Sequence, residues 1–423
     1  MPDSVTALTA IAVSVFRDRN NPKHEEFARR FESTLIGDPA FQDAQMAALL
    51  IANGAMVGDA VKEVFAVPEL IDLGHKEGEL DPMYLSPGGG GRMPPQGVIS
   101  GLLACAFLRI HYLRLPFDEG TFARSVLEGF GELRRAARGE PIRAHKLFGI
   151  TGVMLPEGTQ VSTPWGVMRP APPAPARRPF HLWQPPTTCV LAEPRLLPMK
   201  IDRAAQPQAD FDPAVLSEER SRILFPLTCA LASSNPSDPA VPLVTWSTLV
   251  FPFQNGFAFS SPIVAPQLKP AVDIGTRIAE MEDWARVVEA SHTVSIDVAA
   301  RRLVSAASQR LDRADALIDA VMVWENLVGT STETTYRVTA AIAKALEPDR
   351  TKRRALRKEL SHIYDIRSRV VHGAAVEAAA VNDAASQAIA FAIRIMQSAY
   401  KRGRSWLELS SSERADFLLL EEP

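Results

Sequence analysis

The carboxy-terminal third of the chain is dominated by apolar residues that recur every three or four positions. This spacing runs through TRIAEMEDWARVVEA, IDVAARRLVSAASQRL, RADALIDAVMVWENLVG, TTYRVTAAIAKAL, TKRRALRKELSHIYDIRSRVVHG and AASQAIAFAIRIMQSAYKR. It places the apolar side chains on one face of each helix, where they can pack against other helices. Asp349 is positioned as an N-cap, and Gly329 and Gly373 are positioned as left-handed C-terminal caps. The pattern predicts an all-α bundle over residues 273–423.

Two regions with other sequence patterns precede this bundle. Residues 1–145 contain further helix-like segments, which predict a mainly α-helical amino-terminal region of unknown function. Residues 146–272 contain short β-branched and aromatic runs, among them a hairpin in GITGVMLPEGTQVSTPWGVMRP and a core strand in VPLVTWSTLVFPF. A proline-rich linker, RPAPPAPARRPF (169–180), lies within this β-rich region. The sequence therefore predicts an α+β fold with three successive regions.

Composition limits the cellular setting and the kind of ligand. The 423 residues carry a net charge of -3, which excludes a surface that is basic all over and would bind nucleic acid generally. Any anion-binding site must therefore be a local patch. The three cysteines, Cys105, Cys189 and Cys229, are far apart and form no CxxC pair, which favours a reducing cytoplasm. No apolar run reaches the roughly 18 residues of a membrane span. We expect a cytoplasmic protein without membrane contact, and the absence of metal-binding motifs near the carboxy-terminal charges predicts no metal or cofactor.

One arginine stands in the middle of an apolar helix face. The neighbours of Arg367 at three and four residues are Ile363, Tyr364, Val370 and Val371. A charge at such a position is costly unless it is paired or faces a polar cleft. Glu325 is placed in the same way on an earlier helix, and the simplest interpretation of the two charges is a Glu325–Arg367 pair.

The same arginine begins an Arg-x4-His sequence that ends at His372. The spacing occurs three times, and roughly one occurrence is expected by chance, so the spacing alone is weak evidence. Arg19–His24 contains a proline, and Arg357–His362 begins in a basic run typical of a solvated face. Only Arg367–His372 combines an apolar-face arginine, a polar residue directly after it and a histidine at the end of a helix. Around the helix axis Arg367 and His372 are about 140° apart, so two copies of the helix would be needed to bring them into one cleft.

The segment from RADALIDAVMVWENLVG to LSHIYDIRSRVVHG resembles the ApeA-like branch of the HEPN superfamily. The similarity covers residues 300–400 and lies in an aspartate-rich start, a glutamate within a helix, and Arg-Ser close to a final His-Gly. The resemblance implies a dimeric helical bundle with metal-independent endoribonuclease activity. Arg367 and His372 would be catalytic, with Ser368, Glu325 and Asp365 in support. It further implies a role in bacterial antiviral defence or a toxin-like system, with RNA, including tRNA, as substrate.

These residue types suit RNA cleavage. The 2′-hydroxyl beside the scissile phosphate is the nucleophile, a histidine can shuttle protons near neutral pH, and an arginine can stabilise negative charge on the phosphorane. The basic run RTKRRALRKEL could guide the RNA backbone, and a solvated helix face is an equally good interpretation of that run. The predicted RNA-binding residues are Arg353, Arg354, Arg357, Lys358 and Arg369.

Two other readings compete with a ribonuclease. In the first, the bundle is a catalytically silent HEPN module in which Arg367 and His372 serve packing or dimer contacts. In the second, an unrelated enzyme occupies the first 270 residues, which is disfavoured because no nucleophile elbow, dinucleotide loop or metal motif occurs there. In the leading interpretation residues 1–270 sense a phage or host trigger.

Overall fold

An antiparallel sheet of six strands lies between two groups of helices. The computed structural model describes residues 3–17, 53–68, 70, 75–76, 79–80, 83–86, 91–93, 95–171, 187–198, 200–202, 220–250, 252–253, 259–260, 271–330 and 334–421. The elements below are those of the described residues. Their mixture of helices with an antiparallel sheet confirms the predicted α+β class.

The helices occur mainly at the two ends of the chain. They are α1 Asp3–Arg17, α2 Gly54–Phe65, α3 Pro95–Tyr112, α4 Glu119–Ala137, α5 Arg220–Leu231, α6 Ile278–Ser291, α7 Asp297–Val304, α8 Arg313–Val328, α9 Thr334–Leu346, α10 Arg350–Val371, α11 Ala378–Arg402, α12 Arg404–Glu408 and α13 Ser411–Asp416. Helix α7 continues into a π-helical turn, Ser305–Gln309, and a second such turn, Phe417–Glu421, follows α13.

The strands lie mostly between α4 and α6. They are β1 His75–Lys76, β2 Glu79–Leu80, β3 Met83–Ser86, β4 Gly91–Met93, β5 Ile142–Thr151, β6 Val153–Met154, β7 Val161–Thr163, β8 Gly166–Pro170, β9 Cys189–Leu197, β10 Lys200–Asp202, β11 Leu243–Val250, β12 Phe259–Ser260 and β13 Val272–Asp273. The main sheet has the order β12-β11-β5-β9-β8-β7, and each neighbouring pair is antiparallel. The predicted hairpin is β7–β8, and the predicted core strand is β11.

Both faces of the sheet are covered because consecutive side chains of a strand point to opposite sides. Leu147 pairs with Ala192 and packs with α3 through Cys105 and Leu108. The next pair, Phe148 and Leu191, belongs instead to the core that contains the carboxy-terminal helices. This sheet face, α5 and α6–α13 therefore share one continuous hydrophobic core. A second core joins α1–α4 to the beginning of β5.

Hydrogen bonds also tie the sheet to the carboxy-terminal helices. The indole Nε1 of Trp165, beside β8, donates to Glu289 of α6 at 2.6 Å, and the backbone N–H of Ser162 donates to Glu282 at 2.7 Å. The carboxy-terminal bundle is thus fixed against the middle of the chain rather than joined to it only by a linker. In the part of the chain that the structure describes, no helix is long and apolar enough to cross a membrane.

Two of the three predicted helix caps are present in the structure. The Asp349 side chain accepts from the Lys352 N–H at 2.8 Å, which confirms the predicted N-cap of α10, and Gly373 has φ +72°, which confirms its left-handed conformation. The prediction for Gly329 was wrong, because this residue is extended, with φ −74° and ψ 148°. A Cβ there would lie 2.2 Å from the carbonyl oxygen of Glu325, so the glycine allows a close backbone approach. Residues 172–180 of the proline-rich linker lie outside the described residues.

Candidate functional site

Helices α8 and α10 bring Glu325, Tyr364 and Arg367 together. The guanidinium Nη2 of Arg367 lies 3.7 Å from the Glu325 carboxylate, and the two side chains are 21% and 28% exposed. The Tyr364 hydroxyl donates a hydrogen bond to the other oxygen of the same carboxylate. The predicted Glu325–Arg367 pairing is therefore present. It sits at a partly open edge of the bundle and not in its centre.

Arg367 is held loosely enough to retain unused donors. A separation of 3.7 Å supports an ion pair but is too long for a good N–H···O hydrogen bond. Its Nε is buried and has no hydrogen-bond acceptor among the described residues. The guanidinium lies 5.7 Å from the centre of the Tyr364 ring, which adds a cation–π contact. The arrangement orients the arginine, and its exposed part, not the buried Nε, is what can bind a planar or tetrahedral anion.

Tyr364 is fixed as a hydrogen-bond donor. Burial, together with the hydrogen bond to the negatively charged Glu325, raises the pKa of Tyr364 to about 12. The phenol therefore stays protonated at physiological pH and holds the carboxylate in place. Glu325 is in this way oriented by a neutral donor on one side and by a cation on the other.

His372 lies at the carboxy-terminal cap of α10, away from that cluster. The N–H of Gly373 donates to Val370 O at 3.1 Å and the N–H of Ala374 donates to Arg369 O at 2.9 Å. These two bonds and the left-handed Gly373 form a Schellman motif, in which His372 is the last residue before the glycine. The His-Gly ending thus terminates the helix and leaves the imidazole exposed.

The structure separates the predicted site residues into two sets. Asp365 is exposed and Ser368 is partly exposed, and both lie on the face of α10 that leads to His372. Glu325 and Arg367 face each other between α8 and α10. Between the described residues of a single chain, no hydrogen bond or ion pair links His372 with Arg367. One copy of the chain therefore presents the arginine and the histidine on different sides of the helix.

The predicted RNA-binding residues also differ in their surroundings. Arg353 donates to the carbonyls of Glu347 and Pro348 at 2.9 and 2.8 Å, and Arg369 donates to the Ala375 carbonyl at 2.9 Å. These two arginines hold the segments that lead into and out of α10. Arg354 and Lys358 are exposed one helical turn apart and point away from the bundle core.

Arg357 reveals an aromatic contact that the sequence analysis did not predict. Its guanidinium lies 4.9 Å from the ring centre of Tyr336 on α9, and Tyr336 is 60% exposed. An exposed aromatic ring beside a basic helix face is a surface on which a nucleobase can stack. The signal that could have identified it is the tyrosine in TTYRVTAAIAKAL, which stands at a position off the apolar stripe of that helix.

A second buried carboxylate was also missed, although the test applied to Glu325 would have found it. Asp319 on α8 is almost fully buried and accepts from Arg302 and Arg310, each at 2.6 Å. This cluster joins α7, Arg310 directly after the π-helical turn, and α8. It neutralises the buried charge with two cations, so we assign it to the scaffold of the site. Among the described residues no group of three or more histidine, cysteine or acidic side chains is arranged to hold a metal ion.

Comparisons with known proteins add no family or relative. No protein-family model matches the chain, and the comparisons with curated proteins and with solved structures found no match.

Proposed function

We propose that this chain is a metal-independent endoribonuclease of the HEPN type that acts as a homodimer. The observation that carries the proposal is the state of Arg367, a largely buried arginine that Glu325 and Tyr364 orient through long contacts of 3.7 and 5.7 Å while 21% of its side chain stays exposed. A cation held in this way is suited to negative charge that develops on a phosphate. The resemblance over residues 300–400 supports the same assignment.

In the proposed reaction the RNA supplies its own nucleophile. The 2′-hydroxyl attacks the adjacent phosphate, a histidine accepts its proton, and a second histidine donates a proton to the departing 5′-oxygen. The products are a 2′,3′-cyclic phosphate and a free 5′-hydroxyl, so atoms and charge balance without a metal. His372 from each protomer would supply the two proton-transfer groups, and Arg367 would stabilise the phosphorane oxygens.

A homodimer would solve the separation of Arg367 from His372 within one chain. Two facing copies of α10 would bring the histidine of each copy toward the cleft that holds the arginine of the other. Val371, next to His372, is 48% exposed and offers an apolar contact for such pairing. The exposed Arg354 and Lys358, with Tyr336 stacked on Arg357, would guide the RNA strand along α10 toward that cleft.

The proposed function also includes a regulatory role for residues 1–270 and a cellular setting. A ribonuclease that cleaves host or phage RNA needs control, and residues 1–270 are the part of the chain available for sensing a phage or host trigger. We propose cytoplasmic activity in an antiviral or toxin-like system, with tRNA among the possible targets.

The mechanism is tested with an RNA oligonucleotide that contains a mapped cleavage position. Wild-type protein in EDTA should cut the unmodified oligonucleotide and leave cyclic phosphate ends. Replacement of the single attacking 2′-hydroxyl by 2′-O-methyl should abolish that cut, because the nucleophile is lost. Cutting that continues at the methylated position, or that requires a divalent metal ion, would contradict the proposed chemistry.

A catalytically silent module is the second candidate, and one observation favours it. Arg367 already has a carboxylate partner, and His372 already has a role as the residue before the Schellman glycine. In this reading the bundle serves dimerisation or binding. Light scattering that gives a dimer mass, together with no cleavage of any RNA pool by the wild type, would favour it over the ribonuclease.

A further inference from the structure

A large cavity lies in the other half of the molecule, far along the chain from the proposed ribonuclease site. It is formed by the second half of α4 with Arg138 after it, the first residues of β5, Arg109 of α3, Val250 at the end of β11, and Pro252. Its volume is about 610 Å³. This size falls within the range of small-molecule sites, roughly 300–1,000 Å³.

The lining is strongly basic. Its positively charged or titratable basic residues are Arg109, Arg134, Arg135, Arg138, Arg143 and His145. Two carboxylates, Glu128 and Glu132, also line it. Guanidinium groups outnumber carboxylates even when Glu140, which binds Arg135 and Arg138, is included. A concave surface with this excess of positive charge concentrates anions.

The charges differ in how they are fixed. Arg109 forms an ion pair with Glu128, and its Nε is buried without an acceptor among the described residues. Arg135 is anchored by the Pro141 carbonyl at 3.0 and 2.7 Å. Arg143 is exposed at the mouth, and no hydrogen bond or ion pair of its guanidinium occurs within the described part of the chain. The cavity therefore combines arginines held by carboxylates or a carbonyl with the accessible guanidinium of Arg143.

His145 adds a neutral polar group to the wall. Burial, together with the nearby positive charge of Arg109, lowers the pKa of His145 to about 4. At neutral pH the imidazole is uncharged and can donate or accept a hydrogen bond. Val250 and Pro252 border the cavity beside it but are themselves buried.

We propose that this cavity binds a small molecule that carries two or more phosphate groups, such as a nucleoside triphosphate. The guanidinium of Arg143 can bind two oxygens of a polyphosphate in parallel, and Arg138 can bind two more where the anion displaces Glu140. The uncharged imidazole of His145 suits a polar, uncharged part of the ligand. This site is independent of the proposed ribonuclease, so either assignment can fail without the other.

Gly131 offers a direct way to block the cavity without damaging the fold. It lies on the cavity side of α4, and a Cβ placed on it would meet no other atom within 4 Å. Leucine has a higher helix propensity than glycine, so Gly131→Leu should not lower the melting temperature. Its side chain would extend into the space that the ligand needs.

The experiment measures binding of pyrophosphate and of ATP to the full chain by calorimetry and by thermal shift, at constant ionic strength. Adenosine serves as the uncharged control ligand. Both phosphate ligands should bind with one site per chain and raise the melting temperature, whereas adenosine should not. Arg138→Gln/Arg143→Gln should weaken binding at least tenfold, and Gly131→Leu should abolish it. The double variant Arg124→Gln/Arg286→Gln removes two exposed arginines outside the cavity and should bind within twofold of wild type.

Three results would overturn the proposal. The first is the absence of binding by pyrophosphate and ATP at millimolar concentration. The second is equal weakening in the cavity variant and in the control variant, which would indicate non-specific attraction. The third is binding by a single-stranded RNA oligonucleotide with none by either small phosphate ligand, which would assign the surface to a nucleic-acid backbone.

Discussion

At the scale of single residues, Arg367 is the feature that distinguishes a catalytic site from a structural ion pair. A structural arginine satisfies its donors, and its removal from a buried pair commonly costs about 3–5 kcal/mol. Arg367 instead contacts Glu325 at 3.7 Å, has a buried Nε without an acceptor among the described residues, and is partly exposed. Its geometry is thus poorly optimised for stability and well placed for an anion.

We therefore expect Arg367→Gln to separate activity from stability. The variant should lose RNA cleavage by about 100-fold, the effect typical of removing one charge-stabilising donor. Its free energy of unfolding should change by no more than about 1 kcal/mol, because a partly exposed pair contributes little. Urea unfolding and cleavage rates measured on the same preparation test both parts. A loss of about 3 kcal/mol with undiminished cleavage would mean that the arginine serves packing alone.

At the scale of the element, the end of α10 determines where His372 points. Gly373 adopts φ +72°, a conformation that other residues reach only with strain, and its N–H closes the Schellman motif on Val370. The helix therefore ends at one defined position, and the imidazole lies one residue before it. The residue after the histidine is a glycine because the backbone must reverse there.

Gly373→Ala should show whether this termination matters for cleavage. No atom lies within 4 Å of a Cβ at Gly373, so the cost is backbone strain of about 1 kcal/mol. Gly139→Ala is the matched control, since Gly139 has the same φ of +72° and equally open space beyond α4. Both variants should lose similar stability in urea unfolding. Only Gly373→Ala should slow RNA cleavage. Equal cleavage rates in the two variants would show that this helix cap does not position a residue needed for cleavage.

The sequence predicted elements better than it predicted contacts between them. Apolar spacing located α6 to α11 because each helix buries one face, and charges inside those stripes identified Glu325 and Arg367. The extended backbone at Gly329 was missed, since a glycine after a helix is compatible with more than one conformation. The contact of Tyr336 with Arg357 depends on how α9 crosses α10, which local spacing does not encode. Asp319 also places a charge on a buried helix face and was predictable from the sequence in the same way as Glu325.

At the scale of the whole molecule, the main sheet has a hydrophobic core on each face, and both are distinct from the core that joins α1–α4 to the start of β5. Cys105 lies between α3 and one sheet face, whereas Cys189 and Cys229 lie in the core on the other face. The residue pattern along the chain suggested three successive regions. However, β5 and β9 carry apolar residues on both faces and so connect the helices on the two sides of the sheet. Which layers share a core depends on long-range packing that composition along the chain does not reveal.

The three thiols can report whether these layers unfold together. All three are buried, and burial raises the pKa of Cys189 to about 12, so none should react with iodoacetamide in the native protein at pH 8. Because β5 and β9 contribute to both cores, we expect the labelling of Cys105 and Cys189 to rise at the same urea concentration. Mass spectrometry of individual cysteine peptides measures this. Labelling of Cys105 well before Cys189 and Cys229 would show that the layers unfold independently.

The central claim is that His372 transfers protons during RNA cleavage, and one comparison tests it most directly. A pool of total tRNA and mRNA is incubated in EDTA with wild type, with His372→Ala and with His362→Ala. His362 is the matched control, because it is an exposed histidine on the same helix. The account predicts cleavage with cyclic phosphate ends by the wild type and by His362→Ala, and at least 100-fold slower cleavage by His372→Ala. Equal cleavage by all three proteins would contradict it.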